Sequence, residues 1–390
     1  MLKNKAAFIL TIASLSLITL FIPLCTLLYF TISFLSKRKT VNIIFSVITS
    51  VTVLAAPHNI DTENYRVIYD YLRLDYSWMN DFNNGIELGY LFSNLIPAKL
   101  GLSFDMYLVL YQSILNISLV LLLRSLNVKT TSYFLLYLFI ISPVYVLNTT
   151  LLIRTFLSFS IFILFYINRK KTTFNLFGIL IASTIHSYLA IIFPCYVDKI
   201  RNLINNRITI CLIVCVYLYQ FYFGSIAKDI ISLVSSVYFT NAFLARKIVF
   251  LNEIANISNP VALKNMLLIL LSVFIASPFI KNTPIKINIL ISIFSLTSIL
   301  ALLFPYGEII ITRIGFFPYF LFPIYAIIYS TYIASYSKGT KLISNILMAY
   351  SILTIIYSFA YNDLFNSTSR VMANGKYLTI GFFQLFGFNL

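Results

Sequence analysis

Residues 57–92 read PHNIDTENYRVIYDYLRLDYSWMNDFNNGIELGYLF, the most polar stretch of the chain. Asp61, Glu63, Asp70, Asp75, Asp81 and Glu87 share it with many tyrosines and the only tryptophan, Trp78. Carboxylates accept hydrogens from sugar hydroxyls, and a carboxylate whose pKa is raised by partial burial can act as a general base. Asp61 and Glu87, which bracket the stretch, are the candidates; the plain alternative is a solvated loop charge. Tyr65, Tyr69, Leu72 and Tyr76 recur at helical spacing, which predicts a helix on a membrane surface. Its rings fit an interfacial aromatic belt and equally fit the apolar faces of pyranoses.

Arg154 stands in LLIRTFLSFSIFILFYI, near one end of an otherwise uncharged apolar run. A guanidinium there is costly unless it snorkels to the headgroups or meets an anion. Phosphate is the matching anion, because the planar fork pairs with two of its oxygens. His186 lies in ASTIHSYLA with Ser183, Thr184 and Ser187 nearby. It reads either as a hydrogen-bonded structural histidine or as an acid, base or phosphate donor. Arg313 ends the stretch PYGEIIITR, where it either pairs with Glu308 or supplies a second phosphate ligand.

The elements that must hold these groups follow from composition. The 390 residues are 60% hydrophobic and 10% charged, against roughly 45–50% and 25% in soluble domains. That is enough apolar chain for about ten spans of some 20 residues. A water-soluble enzyme and most nucleic-acid binders are excluded, and the runs are continuous rather than alternating, unlike an outer-membrane barrel. The predicted fold is all-α, a polytopic integral membrane protein read as one domain over residues 1–390. Spans are expected near 6–35, 41–56, 105–125, 131–148, 151–167, 208–225, 261–280, 285–304, 314–334 and 341–360.

Residues 174–197 have basic flanks on both sides and read as a re-entrant hairpin with His186 near its tip; a single span is the rival. With Lys37, Arg38 and Lys39 inside, the net charge of +16 reflects basic cytoplasmic loops, Asp198 being the only acid on that side. The hydrophilic regions 57–104, 226–260 and 361–390 are then outside, with 230–244 read as an interfacial helix for its short length and charged flanks, an extra span being the rival. Cys25, Cys195, Cys211 and Cys215 lie in or beside apolar runs and are expected to pack rather than bind metal. No Walker loop, dinucleotide fingerprint or His-Glu-x-x-His pattern is present, which argues against an ATP-driven pump or a metalloprotease.

DTENY (Asp61 to Tyr65), ELGY (Glu87 to Tyr90), IRTFLSFSIF from Ile153, the NRKK turn, the IHS of His186 and TRIGFFPYF around Arg313 follow one another across about 260 residues. In order and spacing they resemble the EpsG family of Wzy-type bacterial polysaccharide polymerases. One departure is Thr155-Phe156-Leu157 after Arg154, where a glutamine and small residues would be expected. The resemblance implies a GT-C-like helical architecture of about ten transmembrane helices plus the hairpin.

It also implies a glycosyltransferase that joins undecaprenyl-diphosphate-linked oligosaccharide repeats into O-antigen, capsule or exopolysaccharide. The site would face the outside of the cytoplasmic (inner) membrane. No cofactor or metal is called for, since the sugar–diphosphate bond carries the energy. A flippase and a chain-length regulator are the implied partners, with no nucleic acid. In that reading Arg154 and Arg313 bind the diphosphate, Asp61 or Glu87 removes the acceptor proton, His186 orients the diphosphate, and Tyr65 and Tyr90 line the sugar cleft. The rivals are a flippase for lipid-linked repeats, which would gather cations around a central cavity, and a membrane acyltransferase with His186 as base.

Overall fold

The computed structural model describes residues 60–74, 86–128, 130–168, 172–223, 263–304 and 315–360, with scattered positions between 43 and 54. The expected span 6–35, the loop 226–260, the interfacial helix 230–244, the tail 361–390 and the residues Glu308 and Arg313 lie outside the described residues. Among the described residues all regular structure is helical, which agrees with the all-α expectation.

The chain divides into two compact units, one of Met1–Trp78, Glu87–Ser187 and Ile352–Leu390, the other of Met79–Ile86 and Tyr188–Ser351. The first holds α1 (Ile60–Arg73), α2 (Leu88–Lys99), α3 (Phe104–Ser125), α4 (Thr130–Ile140), α5 (Pro143–Leu151), α6 (Ile153–Asn168) and α7 (Thr172–Ile185). α3 begins where Ser103 accepts a hydrogen bond from the Met106 amide, with Asp105 favoured in the positive first turn and Arg124 in the last. It stops at Asn127, whose φ of 47° is left-handed, a conformation asparagine tolerates better than most side chains.

The span expected over 131–148 is instead two helices bent by 58°. The reason is local. Pro143 has no amide hydrogen to continue α4, and Ser142 accepts from Tyr145 N to start α5. α6 packs on both α3 and α7, and α1 packs on α2. Gly178 allows the α6–α7 approach, because a Cβ there would stand 2.7 Å from Phe165 Cγ.

Lipid tails are as apolar as leucine, so buried leucines alone do not drive such helices together, and polar contacts matter more. Asn116 in α3 supplies several. Its Oδ1 accepts from Tyr145 OH at 2.7 Å, and its Nδ2 donates to Ser46 O at 3.3 Å and Ser50 Oγ at 3.2 Å. Each such bond contributes about 0.6–2 kcal/mol in a bilayer.

α1 is the helix that the tyrosine spacing predicted. Thr62, Tyr69 and Leu72 are buried on one face, and Tyr65 is half-buried. Tyr69 OH donates to Leu102 O at 3.0 Å, and Thr62 Oγ1 to Thr150 O at 3.2 Å. These bonds tie α1 to the start of α3 and the end of α5.

The second unit contains all but the first residue of a 3₁₀ helix (Ser187–Tyr196), with α8 (Asp198–Ile204), α9 (Arg207–Phe223), α10 (Lys264–Ile280), α11 (Ile285–Leu303), α12 (Phe316–Phe320) and α13 (Phe322–Tyr332). α11 is its centre, packing against α8, α9, α10, α12 and α13. The span expected over 314–334 is interrupted at Leu321, just before Pro323. α14 (Lys338–Ala360) contributes residues to both units.

Among the described residues three helices, Phe104–Ser125, Ile285–Leu303 and Lys338–Ser358, are long and apolar enough to cross a membrane, or up to five if each bent pair is one span. The shorter apolar helices Ile153–Ile167, Thr173–Ile185, Ser187–Tyr196 and Lys264–Ile280 add to them. This is the helix set of a membrane protein. Cys195 is buried as packing predicted, but Cys211 and Cys215 are exposed on α9, where Leu212, Leu218 and Tyr219 are exposed as well. For these two the core-packing expectation is corrected: their face of α9 is apolar and outward.

Candidate functional site

Four separate stretches of the first unit meet around the buried Glu87–Arg154 pair. Glu87 is the N-cap residue of α2, and its backbone carbonyl accepts from the Tyr90 and Leu91 amides at 3.1 and 3.2 Å. Its side chain makes no cap hydrogen bond and turns away. Oε2 meets Arg154 Nη1 at 2.6 Å, while Oε1 lies 3.3 Å from His186 Nδ1 and accepts from Ser187 Oγ at 3.3 Å. The Glu87 and His186 side chains are 6% and 7% exposed and Arg154 18%, so the cluster is largely dry while the guanidinium keeps an outlet.

Arg154 sits in the first turn of α6, the end where the helix dipole disfavours a cation. Glu87 compensates, and two rings complete the cage. The guanidinium carbon stands 5.6 Å from the Tyr65 centroid and 5.9 Å from that of Tyr90, and Nε donates to Tyr65 OH at 3.2 Å. The two rings meet edge to face at 5.5 Å.

Burial alone would raise the Glu87 pKa. The hydrogen bond with His186 and the charge of Arg154 outweigh it and hold the carboxyl well below its ordinary value of 4.5. That is the opposite of the raised value expected of a general base. Glu87 is an ionised acceptor that fixes a cation on one oxygen and an imidazole on the other.

The structure thus gathers Glu87, Arg154, His186, Tyr65 and Tyr90 from positions spread over some hundred residues. Asp61 is apart from them. It is exposed in the first turn of α1, one turn before Tyr65, and has no hydrogen-bond or ion-pair partner among the described residues. Tyr90 has no exposed surface, so it cannot offer a face to a sugar in this conformation and instead backs the guanidinium. Tyr65 keeps part of its surface open. Helix α7 ends at Ile185 and the 3₁₀ helix starts at Ser187, leaving His186 at the break between two short helical pieces.

Ser187, named beside His186 from the sequence, joins it on Glu87. One contributor has no chemistry that would single it out in a sequence, Gly89: a Cβ on it would fall 2.7 and 2.8 Å from the carbonyl carbon and oxygen of Thr184, besides striking the Thr184 hydroxyl. Only glycine lets the first turn of α2 press against the end of α7, and that contact brings Glu87 to His186. The available signal is a glycine between Glu87 and Tyr90 at a helix start. Among the described residues no three His, Cys, Asp or Glu side chains gather in a way that could hold a metal.

The model of the EpsG family matches residues 41–372. The chain belongs to the EpsG family. The resemblance drawn from DTENY, ELGY and the Arg154 segment therefore holds at family level, and the matched region takes in every residue of the Glu87 cluster together with Asp61 and Arg313. EpsG membership and the apolar helices agree on a membrane protein. No curated protein and no solved structure matches the chain.

Proposed function

We propose that this EpsG-family protein is a polysaccharide polymerase acting on lipid-diphosphate-linked oligosaccharide repeats at the outer face of the bacterial cytoplasmic membrane. The observation that carries the reading is Arg154: a mostly buried guanidinium, pre-oriented by Glu87 and ringed by Tyr65 and Tyr90 in a chain of the EpsG family. Such a group is suited to an oxyanion that develops charge in the transition state.

In the proposed reaction an acceptor hydroxyl of one repeat attacks C1 of the reducing-end sugar of another. The new O–C1 bond forms as the C1–O bond to the diphosphate breaks, and lipid diphosphate leaves with the electron pair. Arg154 stabilises the leaving diphosphate, joined by Arg313. Glu87 holds Arg154 and His186 in place, and His186 offers a hydrogen bond to the diphosphate. Asp61 takes the acceptor proton, since its carboxylate is exposed and unengaged whereas Glu87 is committed to its two partners. Tyr65 supplies the ring surface for a sugar.

The remaining reading is a single multi-pass domain of about ten spans with a GT-C-like arrangement. Residues 174–197 form its re-entrant hairpin, and the product is O-antigen, capsule or exopolysaccharide. A flippase would deliver the repeats and a chain-length regulator would act on the product.

The test is the surface glycan of a strain lacking this chain, sized on a gel, with the chain then restored. Loss of the long ladder with single repeats still on the surface supports the polymerase. Loss of the single repeats as well would assign a flippase, and an unchanged ladder with altered substituents an acyltransferase.

A further inference from the structure

The second unit carries a cleft of about 320 Å³ lined by Asn202, Asn205, Asn206, Arg207, Lys281 and Asn288 with the end of α10. The volume is at the lower end of the usual range for small-ligand sites. None of its lining residues is acidic, and its two cations come from different elements, Arg207 from the start of α9 and Lys281 from the end of α10.

Arg207 is held by a gap in α10. Pro278 has no amide hydrogen, so the Phe274 carbonyl one turn earlier lacks its helical donor, and Arg207 Nε fills the place at 3.0 Å. The guanidinium also lies over the Phe274 ring, 5.3 Å from its centroid. Its terminal nitrogens are left for a ligand, in a fixed fork suited to phosphate oxygens. Asn206 Oδ1 caps the Ile208 amide at 2.9 Å, which leaves its side-chain NH₂ as a further donor. On the floor, Asn205 Nδ2 donates to Ser292 Oγ at 2.7 Å, whereas Asn205 Oδ1 is buried with no donor. A buried acceptor in this state calls for a water or a ligand.

We infer that this cleft binds an anionic glycerophosphate group, with Arg207 and Lys281 on the phosphate and a glycerol hydroxyl answering Asn205 Oδ1. A phospholipid headgroup and a soluble glycerol phosphate share that chemistry. The cleft shares no residue with the Glu87 cluster, and the inference does not depend on the proposed polymerase activity.

The full chain in detergent is titrated with phosphatidylglycerol, phosphatidylcholine and glycerol 3-phosphate, and bound adducts are counted by native mass spectrometry. The same titrations use Lys281→Gln, an exposed position whose change leaves the fold intact, and Arg207→Gln/Lys281→Gln. Phosphatidylglycerol is expected to bind the wild type in preference to phosphatidylcholine. Loss of one charged hydrogen bond should weaken it roughly tenfold in Lys281→Gln, and more in the double variant. Binding of glycerol 3-phosphate with the same losses supports the site and assigns it a soluble ligand. Where glycerol 3-phosphate does not bind with those losses, equal binding of phosphatidylglycerol to wild type and both variants, or equal binding of both lipids to the wild type, would overturn the inference.

Discussion

Glu87 Oε2 and Arg154 Nη1 lie 2.6 Å apart, although 67 positions separate them in the chain. Both side chains are mostly shielded, so each depends on the other. Removing one partner of a buried ion pair leaves an uncompensated charge, at a cost of about 3–5 kcal/mol. Arg154→Ala and Glu87→Ala should each lower the unfolding temperature of the purified protein. A double variant replacing both residues by alanine should lose less than the sum, and additive losses would show that the pair is not coupled.

Function separates the same two residues from a simple structural pair. Arg154→Lys keeps a charge but not the fork, and should leave folding near normal while shortening the surface glycan ladder. A full-length ladder from well-expressed Arg154→Ala would remove the guanidinium from the proposed chemistry.

The division of labour between the two carboxylates can be read directly. Asp61→Asn changes an exposed side chain, so stability should shift by no more than about 0.5 kcal/mol. Loss of a general base lowers turnover by about 10²–10⁴-fold. Single-turnover polymerisation by the purified protein checks this. Normal turnover in Asp61→Asn would take the acceptor proton away from Asp61.

Gly89→Ala should damage the site without touching its chemistry. The added methyl meets the backbone of Thr184, which cannot rotate away, so helices α2 and α7 must part. Overpacking of this kind costs about 1–3 kcal/mol. Trimming the neighbour with Thr184→Ala removes only the hydroxyl clash and should not rescue it. Restored unfolding temperature and ladder length in the double variant would contradict the backbone contact.

Acid should expose the Glu87 cluster. The carboxyl binds its proton less tightly in the folded chain than at its ordinary pKa of 4.5, so the unfolded state takes up protons first as pH falls. The stabilisation it brings is therefore complete above about pH 4.5 and is lost progressively below it, toward the folded pKa. Arg154, His186 and Ser187 are the groups facing it. Unfolding temperatures measured from pH 7 down to 3 should fall more steeply for wild type than for Glu87→Gln. Parallel curves would deny Glu87 that role.

The sequence by itself determined the class of the protein, its helical character and the residues with chemistry to offer. Apolar run length is set by bilayer thickness, and a lone arginine in such a run is conspicuous because its burial is costly. The tyrosine period in 60–73 predicted α1 for the same kind of local reason.

Pairing was decided elsewhere. Nothing in the spacing of Glu87, Arg154 and His186 says that one carboxylate takes both of the others. That choice follows from α2 seating against α7, which in turn needs the missing side chain of Gly89. The general-base reading of Glu87 required a raised pKa, which burial alone would give. The tertiary structure reversed the direction, because a cation and an imidazole brought in from distant helices outweigh desolvation. It also enclosed Tyr90 and left Asp61 in the open, since exposure depends on which neighbours arrive and not on residue type.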